Sequence, residues 1–228
     1  MADPHHSEPK GSSGRPRSEH IDRSVIAAAL EILDTDGYGG VSHESVARRA
    51  GTSRPAIYRR WAGRAPLVLA AIAHRLDVPT PPDTGCTLCD IGDGFNVFLD
   101  AYRTIRPESL SALYAECAPD PDLRARYLET IVEPARTAVG RTLDRAIARG
   151  DLRADIDRNL LLDIVGSLVH YRAMFGPSHL GDAEAERAID VLLQGAAVDF
   201  PALLAHSAAL KREHAEVSGA HHTHAHQP

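Results

Sequence analysis

The 228-residue chain has no apolar run near the roughly eighteen residues that a membrane-spanning helix needs. Its first twenty residues, MADPHHSEPKGSSGRPRSEH, lack the apolar core of a secretory signal. A cytoplasmic chain with no membrane partner is expected. Cysteine is sparse, with three residues, and in that compartment all three are expected to be thiols. The sequence contains no Gly-rich phosphate loop, no nucleophile elbow and no His-Glu-x-x-His pair, so no enzyme activity and no cofactor are expected. Strand-like alternation and internal repeats are also missing, which leaves an all-α chain. Lysine occurs only at positions 10 and 211, so the positive charge is carried almost entirely by 23 arginines.

One absence is local. Between Ser45 and Leu76 there is no Asp or Glu, but there are seven arginines: Arg48, Arg49, Arg54, Arg59, Arg60, Arg64 and Arg75. Residues 10–75 carry a formal +5 within a chain of net −6, so the remainder carries −11. One end attracts a polyanion and the rest repels it, which orients the protein on nucleic acid.

The same stretch has helix punctuation. Ser42 can cap a helix whose apolar face is Val46, Ala47 and Ala50, and Gly51 supplies the left-handed residue that ends it. Ser53 is placed to cap a second helix, with Pro55 in its first turn and Ile57 and Trp61 as its inward stripe. Two short helices, a Gly turn and a basic second helix make a helix-turn-helix, whose second helix enters the DNA major groove. A preceding helix is expected from about His20 to Thr35, with Ile26, Ala29, Leu30 and Leu33 inward.

Over about fifty residues the chain resembles the tetracycline-repressor (TetR) family of bacterial transcription regulators. The resemblance rests on Ala50-Gly51-Thr52-Ser53, Ile57-Tyr58, Trp61, Arg64 and Leu67, and upstream on residues 26–33 and Gly37-Tyr38. It departs at Arg64, where the family has lysine, and at Gly63, where the family has a capping serine. The resemblance implies a homodimeric, sequence-specific repressor that a small-molecule effector releases from a palindromic DNA operator. Arg54, Pro55, Ala56 and Arg59 are the candidates for base contact. Tyr58 and Arg64 would grip phosphates, as would Ser42, His43 and Ser53. Ahead of the first helix, Gly14-Arg15-Pro16-Arg17 has the form of an extended arm, and Arg15 and Arg17 could enter a minor groove.

The expected organisation is a disordered basic arm over 1–18, a three-helix DNA-binding domain over 19–76, a larger helical effector-binding and dimerisation domain over 77–210, and a disordered His-rich tail over 211–228. Pro and Gly over residues 79–85 mark the boundary. Beyond it, helices are expected over 91–104, 109–117, 120–149 with a kink at Pro134, 157–175, and from Asp182. By the resemblance, Phe95, Phe98, Tyr102, Tyr114, Tyr127, Ile131, His170 and Met174 are candidate walls of a ligand cavity. The 157–175 helix is apolar nearly all round. Such a helix is buried on several sides, and the resemblance implies that with the next helix it forms a dimer seam of Leu161, Ile164, Val165, Leu168, Arg172, Ile189, Leu192 and Leu193.

A rival reading is a thiol- or metal-responsive sensor. Cys86 and Cys89 form a C-x-x-C, Cys117 follows, and the tail carries His221, His222, His224 and His226. The sequence names no fourth zinc ligand and no basic residue beside either thiol, so no metal site is assigned.

Overall fold

A computed structural model describes residues 14–176 and 182–223. Among them the architecture is helical, with one isolated antiparallel bridge between Leu152 and Ala197. The first four helices form a head: α1 (Gly14–Gly40), α2 (His43–Ala50), α3 (Arg54–Tyr58) and α4 (Arg64–Arg75). The body contains α5 (Thr87–Thr104), α6 (Pro107–Cys117), α7 (Pro121–Tyr127), α8 (Glu133–Arg149), α9 (Arg158–Phe175), α10 (Asp182–Ala196) and α11 (Phe200–Thr223). No helix among the described residues is long and apolar enough to cross a membrane.

The punctuation works as its chemistry demands. Ser42 and Ser45 make a reciprocal capping box at the start of α2, and Gly51 ends that helix at φ 63°. Asp120 and Asp157 accept first-turn amides of α7 and α9, and Gly150 ends α8 at φ 80°. The expected 120–149 helix is not continuous. Residues Leu128–Val132 form a π-helical turn that closes with the Glu133 amide bonded to the Leu128 carbonyl. Pro134 follows immediately; its ring would clash with the carbonyl four residues back in an unbroken α-helix, and the wider turn relieves this.

Both chain ends differ from expectation. α1 begins at Gly14, so Arg15 and Arg17 lie on helical turns rather than in an extended arm. Pro16 falls in the first turn, where a missing amide hydrogen is harmless. The side chains of Arg15 and Arg17 lie outside the described residues. At the other end the helical backbone of α11 continues to Thr223. His224 and His226 lie outside the described residues.

Two apolar cores are formed, and the first ignores the expected domain boundary. Val25, Ile26, Ile32 and Leu33 of α1 pack with Val46, Ile57, Leu67, Val68 and Ile72 of the head, and also with Leu110, Leu113 and Cys117 of α6, Tyr127 of α7 and Ile131 of the π turn. The second core joins Ile91, Phe95 and Leu99 of α5 to Val139 and Leu143 of α8, to α9, and to Ile189 and Leu193 of α10. The segment between head and body is pinned rather than loose. The Asp90 carboxylate, fully buried, accepts from the Thr84 amide and hydroxyl at 2.7 Å, and Thr142 donates to the Pro82 carbonyl at 2.9 Å.

Leu113 is fully buried where α6 meets the head. Leu113→Ala should destabilise the whole protein by about 2–5 kcal/mol, measured by urea unfolding, and should loosen the head and α6 together.

Candidate nucleic-acid interface

The reading element is short. Ser53 does not cap α3 with its side chain; its carbonyl accepts from the Ala56 and Ile57 amides, and its hydroxyl stays exposed. Arg54, Pro55, Tyr58 and Arg59 face outward, whereas Ala56 and Ile57 face inward. Ala56 is 7% exposed, so it is not a base contact; on a five-residue helix the turn that buries Ile57 takes its neighbour with it.

Tyr58 is half-exposed and braced. Its ring stacks on the His43 imidazole at 4.0 Å between centroids with planes 7° apart. His43 Nε2 lies 2.9 Å from the Trp61 carbonyl. A carbonyl only accepts, so this nitrogen carries the proton. His43 is therefore a buried support that aims the tyrosine, not the phosphate ligand expected from its position. Ser42 is exposed, but its hydroxyl is engaged in the capping box.

Pairing sorts the seven arginines. Arg49 is bonded to Glu31, Arg60 to Asp22, Arg64 to Glu116 and Arg75 to Asp34. Arg54 stands 3.9 Å from Glu44, a loose contact between two exposed groups. Arg48 and Arg59 are exposed and make no ion pair among the described residues. The outward positive set is thus Arg48, Arg54 and Arg59, and Arg48 is the member that motif reasoning missed. The sequence gives no local signal for these pairings, because every acidic partner lies outside the acid-free stretch.

Arg64 departs most from expectation. Its Nε donates to the Glu116 carboxylate at 3.0 Å, Nη2 donates to the same oxygen, and its guanidinium lies 4.4 Å from the centre of the Tyr38 ring. In the free protein it faces α6, not solvent alone. The carboxylate raises the Arg64 pKa further. Burial alone would push the Glu116 carboxyl up, but Arg64, Tyr38 and the Ala65 amide together hold it below the usual carboxylate range.

A second feature lies in the body. A cavity of about 730 Å³ opens between α4, α5, the π turn, α8 and α9. Of the expected walls it includes Phe98, Tyr102, Ile131 and His170, and the Tyr102 hydroxyl and His170 Nδ1 are 2.7 Å apart. Phe95, Tyr114, Tyr127 and Met174 are elsewhere. Phe95 is sealed in the second core and Tyr127 in the first; Tyr114 is partly exposed and packs on Tyr127, and the Met174 sulfur accepts from Ser111. Carboxylates of Asp77, Asp100, Glu129 and Asp163 line the cavity beside Arg136.

The expected dimer seam divides. Leu161, Val165, Ile189 and Leu193 are 1–6% exposed and belong to the protomer's own core, so they offer nothing to a second copy. Arg172 is bonded to Glu184 of α10. Leu168 and Leu192 are half-buried. The exposed apolar residues of this region are Leu160, Ile164, Tyr171 and Phe175 on α9 and Val191 on α10. A helix apolar all round faces two partners, and sequence periodicity does not say which side takes which.

Cys86 is the N-cap of α5, with its sulfur 2.7 Å from that of Cys89. Burial and the Cys86 thiol push the Cys89 pKa up; Ser207 and Lys211 of α11 oppose this. Lys211 is a basic neighbour that the sequence did not place there. Burial likewise raises the Cys117 thiol. No group of three or more metal-ligating side chains occurs among the described residues.

Comparison with known proteins converges on one class. Residues 25–71 match the profile described as bacterial regulatory proteins, tetR family, and residues 81–192 match the tetracyclin repressor-like C-terminal domain. The chain is 30% identical over 179 residues to a DNA-binding transcriptional repressor TetR from Mycobacteroides abscessus, covering 78% of this chain and 94% of that one. It is 24% identical to the HTH-type transcriptional regulator AqdR of Rhodococcus erythropolis, covering 86% and 93%. A crystal structure of a TetR family transcription regulator superposes with a TM-score of 0.59 at 26% identity, covering 77% and 98%. A TetR transcriptional regulator from Agrobacterium tumefaciens gives 0.62 at 19% identity, covering 81% and 98%, a likeness of fold.

His43→Ala should weaken binding to all duplex sequences alike, because it removes the brace behind Tyr58 rather than a base contact. The same change should cost about 1–2 kcal/mol of stability, from the lost ring contact and the lost hydrogen bond to Trp61. Urea unfolding and fluorescence anisotropy on two unrelated duplexes check both effects.

Proposed function

This chain belongs to the tetR family of bacterial regulatory proteins, and on that premise we propose that it works as a homodimeric repressor, released from a palindromic operator when a small molecule enters the body cavity. It is a DNA-binding transcriptional regulator and not an enzyme. The observation that supports the DNA-reading part of the proposal is the outward set of Arg48, Arg54, Pro55 and Arg59 around a braced Tyr58. Every other arginine of the acid-free stretch is bonded to a carboxylate of the protein itself. What remains is a narrow positive face made by Arg54 and Arg59 at the two ends of α3 and by Arg48 of α2.

Two such faces in one dimer would meet successive major grooves, on the order of 34–36 Å apart. The uncovered apolar residues of α9 and α10 support a seam between two copies, with Ile164, Leu168 and Leu192 retained from the sequence and Leu160, Tyr171, Phe175 and Val191 added. The cavity touches α4 through Ala73 and through Leu76, the residue that caps its C-terminus, and α4 follows the reading helix in the chain. An effector there would act on head spacing, and a coupling of ~1–3 kcal/mol would weaken operator binding roughly 5- to 150-fold. The work would be done in the cytoplasm, where operator DNA lies.

Arg54→Ala should lower specific binding towards the non-specific level and relax preference at one base pair per half-site, because an arginine–guanine contact carries about 1–3 kcal/mol of discrimination. Selection from a random duplex library reads this directly; an unchanged preferred site would leave Arg54 a purely electrostatic residue. Ile164→Asp should yield folded monomers, since the residue is exposed in the protomer and a carboxylate would be stranded only in the dimer. Sedimentation with circular dichroism checks it, and a normal dimer would move the seam elsewhere.

A further inference from the structure

The body cavity has a charge pattern that its shape does not require. Its apolar wall includes Phe98, Ile131 and Val169, all buried. Around them stand four carboxylates: Asp77 in the segment after α4, Asp100 on α5, Glu129 in the π turn and Asp163 on α9. Arg136 is the one arginine or lysine among the described lining residues, and it is already bonded to Asp163. Asp77, Asp100 and Glu129 are exposed and make no ion pair among the described residues. Elsewhere in the body the pattern is reversed, since Asp83, Asp144 and Asp151 each have an arginine partner. The Tyr102 hydroxyl and His170 Nδ1 lie 2.7 Å apart and satisfy each other within the wall.

Three carboxylates without counter-ions, on three different elements, give the mouth of this cavity a negative potential, and low-dielectric walls focus such a field inward. A metal ion does not fit the arrangement, because no three metal-ligating groups converge among the described residues. An anion would face three like charges, with Arg136 already taken by Asp163. What fits is a positive group carried on apolar bulk. The cavity, about 730 Å³, has the volume of a small-molecule site, roughly 300–1,000 Å³. The Phe98 and Tyr102 rings offer faces that attract a cation. We propose that the cavity selects an amphipathic organic cation, an ammonium or phosphonium on an aromatic or aliphatic body, with Asp77, Asp100 and Glu129 setting the sign of its charge. Such a cation names the effector class of the function proposed above, and its regulatory role rests on that reading.

The test titrates the full-length protein, without DNA, with probes matched in shape and opposite in charge, by isothermal titration calorimetry. Tetraphenylphosphonium and tetraphenylborate form a rigid pair; phenylbutylamine and phenylbutyrate form a flexible one. In at least one pair the cation should bind about ten-fold tighter than the anion or better, and salt should shrink that preference. Each partly exposed carboxylate should contribute about two- to five-fold. Asp77→Asn/Asp100→Asn/Glu129→Gln should therefore weaken the cation about ten- to a hundred-fold and leave the anion no weaker. Arg136→Gln frees Asp163 and should tighten the cation about two- to five-fold, a gain that a merely structural wall residue would not give. Circular dichroism checks that each variant is folded.

Binding of both anions as tight as their cations would overturn the proposal. So would no binding of either cation, or an unchanged cation affinity in the folded triple variant. If the triple variant does not fold, the probe preference and Arg136→Gln decide alone. Operator release is followed separately, by fluorescence anisotropy with the same probes. A cation that binds selectively but leaves the operator bound would remove the effector role and keep the charge preference. Release by an anion alone would keep the effector role and overturn the cation.

Discussion

The apolar surface of α4 is closed by α1 on one side and by α6, α7 and the π turn on the other, and the rest of the molecule depends on that double burial. α4 therefore belongs to head and body at once. Ile57 of the reading helix and Leu113 of α6 are members of the same core. Close-packed interiors do not deform smoothly, so a displacement of α6 or the π turn is passed on rather than absorbed. This gives a physical path from a cavity lined by residues 129–132 and 134–136 to the reading helix.

Charge is used with similar economy. The acid-free stretch carries seven arginines, but four are neutralised by carboxylates from α1 and α6. Those pairs join α2 to α1, the α3–α4 turn to α1, α4 to α6, and α4 to α1. A head with all seven exposed would bind any polyanion and would repel itself on folding. Leaving only Arg48, Arg54 and Arg59 outward and without a close carboxylate confines the attraction to one face of the head. Arg64 sits at the margin between the two classes, paired yet still partly exposed.

Local chemistry made the helix ends legible in the sequence. Ser42, Gly51, Asp120, Asp157 and Gly150 act on their immediate neighbours, and each was found where its side chain or backbone freedom required. What was not legible is long-range. The stack of His43 on Tyr58, the pairing of Arg64 with Glu116 and the approach of Lys211 to Cys89 join residues far apart in the chain, and no periodicity encodes them. Tyr114 and Tyr127 looked like cavity walls because aromatic residues at helical spacing serve cores and cavities equally. The division of α9 failed for a related reason: Val165 and Ile164 are neighbours of the same character, and only the packing decides that one joins the core and the other stays exposed. α11 was missed because its Ala- and His-rich sequence has a weak apolar stripe.

The central claim is that head and body share one core. The chain has a single tryptophan, Trp61, which packs against that core from the head side, whereas most helical residues lie in the body. Equilibrium urea unfolding followed in parallel by Trp61 fluorescence and by far-ultraviolet circular dichroism therefore compares the two directly. Coincident midpoints and slopes are expected. A fluorescence transition completed at lower urea, with the helical signal still intact, would mean that the head unfolds as an independent unit and would contradict the account.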